Sequence, residues 1–136
     1  MPYLVDSSSL MILIKNMEER KATKLMQDSK ILDLTYYEAG NMLWKHSGLH
    51  KYVSKQDLAN LTDLTKDVLR KLERISAESD DLPRILEIAN REKLTFYDSS
   101  YLYIAVAKGL SLVTDDFKLA KASHKYITTK TASEMV

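Results

Sequence analysis

The sequence predicts an α/β fold: a short central parallel sheet covered by helices on both faces. Short apolar runs alternate with longer segments of helical periodicity, and this order favours a parallel sheet. Glycine (three) and proline (two) are scarce, which favours helices over a turn-rich all-β architecture. The chain has 136 residues without a linker or an internal repeat, so we expect a single domain over residues 1–136.

Four short apolar runs are predicted to be strands, because each is too short for a helix and stands between polar segments. They cover residues 2–5, 31–34, 110–113 and 125–128.

The helical segments carry recognisable start and stop signals. Residues 54–76 give the clearest one, because Ser54 and Asp57 have the spacing of a capping box and aliphatic residues recur at helical intervals. Thr35 suits an N-cap, and Pro83 suits a first helical turn. The predicted helices cover residues 8–14 with a continuation or restart over 17–27, and residues 35–46, 54–76, 83–89, 98–108 and 117–122.

The composition excludes several classes of function. The absence of cysteine excludes disulfides, thiolate metal sites and a cysteine nucleophile, and it is compatible with the cytoplasm, where we expect the protein. No apolar run approaches the about 20 residues of a membrane span, and nothing resembles a signal peptide, so we expect no membrane association. The net charge of +1 means that nucleic-acid binding would need a local basic patch.

Four acidic residues from separate segments stand beside apolar sequence: Asp6, Glu38, Asp98 and Asp116. Two follow predicted strands and two begin predicted helices, and these positions share one edge of a parallel sheet. We therefore expect the four side chains to converge. Carboxylate oxygens suit Mg²⁺ or Mn²⁺, whereas Zn²⁺ prefers cysteine or histidine, and the three histidines are dispersed. Such a site predicts phosphodiester cleavage by metal-activated water.

Taken alone, each acid has a simpler structural explanation. Asp6 precedes three serines and suits a strand-end turn, whereas Asp98 suits a helix N-cap. Glu38 suits a surface position near a helix N-terminus, and Asp116 suits a loop in which Asp115 is equally available. The combination favours a site, because carboxylates at the edge of a core need a cation or hydrogen-bond donors.

Four segments together resemble the motifs of PIN-domain proteins, and the small size is similar to that of the VapC toxins of VapBC toxin–antitoxin modules. These segments are Val5-Asp6-Ser7-Ser8-Ser9-Leu10, Tyr37-Glu38-Ala39-Gly40-Asn41-Met42-Leu43, Tyr97-Asp98-Ser99-Ser100-Tyr101-Leu102-Tyr103-Ile104-Ala105 and Leu112-Val113-Thr114-Asp115-Asp116-Phe117-Lys118-Leu119. Each motif alone is weak, but four in the family's order at compatible spacing are fairly specific.

The resemblance implies a PIN-like three-layer α/β/α sandwich and an Mg²⁺- or Mn²⁺-dependent endoribonuclease. It implies metal ligation or catalysis by the acidic quartet Asp6, Glu38, Asp98 and Asp116. Ser8 and Thr114 match the hydroxyl residues that support the first and last acids. Asp115 occupies a variable position and is a lesser candidate for binding a second metal.

The resemblance also implies partners. The substrate would be a structured RNA such as tRNA or ribosomal RNA, and a small antitoxin protein would occlude the acidic pocket. A homodimer is typical of the family. Lysines near the motifs are candidate phosphate contacts, although each is equally well explained as an ordinary solvated lysine. They are Lys15, Lys45, Lys118 and Lys121.

Three other functions compete with this interpretation. A phosphatase of the haloacid-dehalogenase type wants a second aspartate two residues after the first, where Ser8 stands. A receiver domain usually has paired acids after its first strand, which this chain lacks. A non-catalytic PIN-fold module that binds RNA or protein stays open, but it has no physical need for four clustered carboxylates.

Overall fold

The computed structural model describes residues 2–16, 27–49 and 54–135, and these residues build a five-stranded parallel sheet. The strand order is β3-β2-β1-β4-β5. The order reverses between the neighbours β1 and β4, so their carboxyl ends form the topological switch point at which open α/β sheets bind ligands. The strands are β1 (Tyr3–Val5), β2 (Ser29–Leu32), β3 (Glu73–Ile75), β4 (Ser111–Val113) and β5 (Thr129–Lys130).

Helices connect these strands. They are α1 (Ser7–Asn16), α2 (Asp33–Trp44), α3 (Lys55–Lys71), α4 (Leu82–Glu92), α5 (Phe96–Lys108) and α6 (Phe117–Ser123). A π-helical turn, Lys45–Leu49, extends α2. The predicted helical continuation over 17–27 lies outside the described residues, apart from Gln27. No helix among the described residues is both long and apolar enough to cross a membrane.

Alternate strand residues fill two cores, one on each face of the sheet. The core that joins the sheet to α1, α2 and α3 contains Val5, Ile31 and Val113. The core that joins it to α5 and α6 contains Leu4, Leu32 and Leu112. Because the middle strands are buried on both faces, they are continuously apolar rather than alternating. The predicted three-layer α/β/α sandwich is confirmed.

The prediction of one helix over residues 54–76 is wrong at its end. Helix α3 stops at Lys71, Leu72 has an extended backbone, and Glu73–Ile75 form β3, which pairs with β2. Leu72 packs in one core and Ile75 in the other. A helix would place residues three apart on one face, whereas a strand places them on opposite faces. The extended segment 72–75 therefore contributes one apolar side chain to each core.

Other boundaries also differ from the prediction. Strand β2 covers 29–32 instead of 31–34, and α2 begins at Asp33, before the predicted cap Thr35. The Thr35 hydroxyl instead accepts a hydrogen bond from the Leu32 backbone N–H at 3.2 Å, which ties the helix to the end of β2. Strand β5 covers 129–130 instead of 125–128, because Ile127 N–H bonds back to the Ser123 carbonyl at 2.9 Å and continues the turn after α6.

Candidate active site

The carboxyl ends of β1 and β4 bring Asp6 and Asp116 to the switch point. The Asp6 backbone N–H donates to the Val113 carbonyl at 3.0 Å, which extends the pairing of the two strands by one residue. The Asp6 side chain is buried, with 6% exposure. It accepts a hydrogen bond from the Ser9 backbone N–H at 2.9 Å and thereby caps α1.

Thr114 connects these two acids. Its buried hydroxyl hydrogen-bonds the Asp6 carboxylate and accepts the Asp116 backbone N–H at 3.1 Å. The Asp116 carboxylate accepts the Leu119 N–H at 2.8 Å and caps α6. Ser8 makes a longer contact, with its hydroxyl 3.4 Å from an Asp6 carboxylate oxygen. Both hydroxyl residues singled out in the sequence therefore contact the first acid.

Asp98 lies in the first turn of α5, but it is not the N-cap. Thr95 is the N-cap, and its hydroxyl accepts the Asp98 backbone N–H at 3.1 Å. The helix-cap explanation for this aspartate is therefore wrong. The half-buried Asp98 carboxylate lies near the other acids instead, as the electrostatics show.

Electrostatic repulsion connects Asp98 with the other three acids. Burial raises the pKa of the Asp98 carboxyl above its ordinary value, and three neighbouring negative charges raise it further; these belong to Asp116, Asp6 and Glu38. Burial also raises the pKa of Asp6, although the hydrogen bonds from Thr114 and Ser9 oppose the shift. None of the ion pairs formed by the described residues includes any of the four acids. Within the described part of the chain, hydrogen-bond donors but no paired cationic side chain therefore offset the charge of these acids.

Glu38 projects from α2 and is held by a directed chain of hydrogen bonds. The Tyr101 hydroxyl donates to the Glu38 carboxylate at 2.7 Å, and Tyr101 itself is 1% exposed. The Thr35 hydroxyl lies 2.7 Å from the Tyr101 hydroxyl, and because the single Tyr101 hydroxyl proton goes to Glu38, Thr35 donates to Tyr101. The chain runs from the end of β2 through α2 and α5 to the carboxylate, and it fixes where Glu38 points.

Asp115 has a different set of partners. Its carboxylate accepts the Ser9 hydroxyl at 2.5 Å and the Ala132 backbone N–H at 3.1 Å. These bonds join the start of α1 to the segment after β5. Asp115 also lies near enough to Asp6 to raise the pKa of that carboxyl. In this arrangement it contributes to the fold and adds negative charge at the border of the site.

The donor set suits a hard divalent cation, because every candidate ligand is a carboxylate oxygen. Within residues 2–16, 27–49 and 54–135, however, no three histidine or acidic side chains are placed to hold one ion as they stand. A cation would draw the carboxylates inward and relieve their repulsion. The carboxylates of Asp6, Glu38, Asp98 and Asp116 fit a divalent cation in their chemistry.

The sequence interpretation did not include Tyr101 or Thr95 among the functional residues. A usable signal existed for Tyr101, because it lies three residues after Asp98 and therefore on the same face of α5. For Thr95 the signal was equally local, a threonine three residues before an aspartate at a helix start. The partner of the Tyr101 hydroxyl depends on a contact between α2 and α5 that no local pattern encodes.

We expect Asp98→Asn to raise the melting temperature of the metal-free protein by a few degrees at neutral pH, because it removes a repelled, partly buried charge. The raised folded-state pKa means that the ionised carboxylate destabilises the fold above that pKa. The gain should shrink as pH falls towards the ordinary value of 3.8. Thermal melts in chelator across this pH range measure both effects, with the exposed Asp63→Asn as the control. A lower melting temperature for Asp98→Asn at neutral pH would contradict the crowded-charge description.

We expect Tyr101→Phe to destabilise the fold by about 1–3 kcal/mol, because it leaves the buried Thr35 hydroxyl without its acceptor. Urea unfolding measures the loss. Tyr103→Phe is a matched control on the same helix, since its hydroxyl bonds to Asp81 at 3.0 Å, away from the acids. Equal effects of the two substitutions would show that the hydrogen-bond chain to Glu38 has no special role.

Comparison with known proteins agrees with this geometry. The family model described as PIN domain matches residues 3–125. The protein called Exonuclease VapC9 from Pyrobaculum aerophilum is 40% identical over 117 residues, which cover 86% of this chain and 82% of that protein. Ribonuclease VapC3 from the same organism is 26% identical over 134 residues, which cover 94% of this chain and 99% of the relative.

Solved structures show the same architecture. The crystal structure of PAE2754 from Pyrobaculum aerophilum superposes with a TM-score of 0.82 at 35% identity, covering 99% of this chain and 87% of that one. A chain from the crystal structure of VapBC2 from Rickettsia felis, bound to a promoter DNA fragment, matches with a TM-score of 0.66 at 16% identity. The match covers 96% of this chain and 98% of that one. The second likeness is one of fold alone. With its acids at the switch point and the family model matched over 3–125, this chain belongs to the PIN-domain family.

Proposed function

We propose that this chain, as a single domain over residues 1–136, is a VapC-type ribonuclease that hydrolyses phosphodiester bonds with a divalent cation, Mg²⁺ or Mn²⁺. One observation carries the proposal: four carboxylates crowd one edge of the sheet without a cationic side chain paired to any of them in the described chain. Such crowding is costly without a metal and useful with one. The names of the two VapC relatives support nuclease chemistry, and the name Ribonuclease VapC3 supports RNA as the substrate.

The acids have distinct roles in this proposal. Asp6, Asp98 and Asp116 are the metal ligands. Asp6 and Asp116 follow β1 and β4 at the switch point, and both repel the charge of Asp98. A bound cation lowers the pKa of a coordinated water and neutralises charge on the phosphate. Ser8 and Thr114 keep the Asp6 carboxylate in place.

Glu38 is proposed to be a further ligand or the group that orients the attacking water. Its carboxylate is fixed by the Tyr101 hydroxyl at 2.7 Å, and that bond leaves the other lone pairs of the carboxylate to accept a proton or a hydrogen bond from water. A group that positions water must reach it within hydrogen-bond distance from a defined direction. The chain of hydrogen bonds from β2 fixes the direction in which the Glu38 carboxylate points.

The biological setting follows from the family. We propose an RNA substrate such as tRNA or ribosomal RNA, a homodimer, and an antitoxin partner that covers the acids, all acting in the cytoplasm. The VapBC2 structure supports the partner only through its fold and name. A stretch of antitoxin placed over Asp98 and Glu38 would exclude RNA and metal-bound water together.

Cleavage of circular single-stranded RNA tests the reaction and its endonucleolytic mode together, because a circle has no end at which an exonuclease can begin. We expect Mg²⁺ or Mn²⁺ to support linearisation and chelator to abolish it. Asp98→Asn should reduce the rate at least about a hundredfold, in line with loss of a group that acts on the transition state. The exposed Asp63→Asn controls for a change of one charge and should cleave like the unmodified protein.

The other outcomes separate the alternatives. Degradation of linear RNA with the circle intact would assign an exonuclease, the activity in the name of VapC9. Failure to cleave any RNA, together with a melting temperature unchanged by saturating Mn²⁺, would favour the non-catalytic interaction module. The Glu38–Tyr101 hydrogen bond and the absence of three preplaced ligands among the described residues are the features compatible with that module.

A further inference from the structure

A cavity of about 390 Å³ opens beside Glu38, between the start of α1, the outer face of α2 and the first turn of α5. Its wall combines two aromatic rings, an amide, an ammonium group and the Glu38 carboxylate itself. These belong to Tyr37, Tyr97, Asn41, Lys45 and Glu38. Glu38 therefore joins this cavity to the acidic site, and the other four side chains have no role in the proposed hydrolysis.

The two tyrosines are among the more exposed large side chains of the molecule. Tyr37 is 72% exposed and Tyr97 is 60% exposed, so neither ring contributes much to a core. Both rings line the same cavity as the Glu38 carboxylate. Neither hydroxyl bonds to another described side chain. Two exposed aromatic rings around one cavity are suited to stacking against a flat, partly polar ligand.

The polar groups of the cavity lie along one face of α2. Glu38, Asn41 and Lys45 occupy positions i, i+3 and i+7, which follow one another along a helix surface. The Asn41 amide offers both a donor and an acceptor, as the edge of a nucleobase requires. The Lys45 ammonium offers a point charge for a phosphate. The row runs from the Glu38 carboxylate to the Lys45 ammonium group.

We propose that this cavity binds one unpaired nucleotide of the RNA substrate, adjacent to the bond that is cut; the proposal rests on the ribonuclease function above. The base stacks on Tyr37 and Tyr97, Asn41 bonds to its edge, and Lys45 contacts a flanking phosphate. A base held in this way must be unstacked from its neighbours, as it is in loops and single strands but not inside a duplex. The cavity thus selects single-stranded sites within a structured RNA.

A larger cavity of about 750 Å³ lies between α2, α3 and β3 and fits this role less well. It is lined by three cationic side chains, Lys66, Arg70 and Arg74, but by no carboxylate. The Arg74 guanidinium lies 5.0 Å from the centre of the Tyr36 ring and covers one face of it. A nucleotide bound only there would lie outside the acidic site.

The test is binding of a short fluorescein-labelled single-stranded RNA of mixed sequence, followed by fluorescence anisotropy in Mg²⁺. All proteins carry Asp98→Asn so that the RNA stays intact. We expect Tyr37→Leu and Tyr97→Leu each to weaken binding roughly tenfold, the usual scale for losing one stacked base. Tyr97→Trp, unlike Tyr97→Leu, should bind RNA as tightly as the protein with Tyr97, because tryptophan keeps a flat ring. Lys45→Gln should weaken binding and flatten its salt dependence.

The controls use features of the same chain. Tyr126→Leu removes a partly exposed tyrosine that bonds to Glu92 on the far side of the molecule, and it should leave RNA binding unchanged. A duplex of the same sequence should bind more weakly and show no dependence on Tyr37 or Tyr97. In the protein with an intact acidic site, the increase in melting temperature on adding Mn²⁺ should be the same with and without the tyrosine substitutions.

Two results would overturn the proposal: single-strand affinity unchanged by both tyrosine substitutions, or a duplex that binds as tightly as the single strand. Loss of antitoxin binding with RNA binding intact would likewise assign the cavity to a protein partner. These results are separable from failure of the ribonuclease proposal. If circular RNA is cut but the tyrosines do not matter, only the nucleotide cavity fails. If RNA binding depends on the tyrosines but no RNA is cut, only the hydrolytic function fails.

Discussion

The constraint that governs the site is the free-energy cost of placing carboxylates close together at the end of β1. Asp6 is buried and repelled by Asp115, and the backbone N–H of Ser9 and the Thr114 hydroxyl donate to its carboxylate. Desolvation of a carboxylate costs several kcal/mol unless donors or a cation compensate. The donors compensate in part, and in the proposed function a bound cation would offset the rest.

The parallel sheet supplies this compensation through its helices. Helices α1, α5 and α6 all begin at the same edge of the sheet, and the positive ends of their backbone dipoles point towards the acids. Asp6 and Asp116 use their carboxylates as N-caps, whereas Thr95 takes that role for α5 and leaves Asp98 to the site. The same topology that produces the two cores therefore also produces an anionic site.

Much of this arrangement could be predicted from sequence. The short apolar runs that end in Asp6 and Asp116 locate the two central strands, and strand-end chemistry predicts the edge at which the acids meet. What could not be predicted depends on contacts across the sheet. The strand β3 was not predicted because Leu72 and Ile75 also fit helical spacing. Leu72 packs in one core and Ile75 in the other, and this tertiary packing is what favours a strand over a helix. The Glu38–Tyr101 bond likewise joins residues 63 positions apart.

Anomalous diffraction from crystals soaked in Mn²⁺ tests the central claim most directly, because it locates the ion without assuming an activity. The convergence of acids at the switch point predicts a strong peak among the carboxylates of Asp6, Asp98 and Asp116, with Glu38 still within reach of the Tyr101 hydroxyl or of a metal-bound water. An ordered site without a peak at saturating Mn²⁺, or a peak only at other residues, would contradict the assignment of a metal-dependent active site to this edge of the sheet.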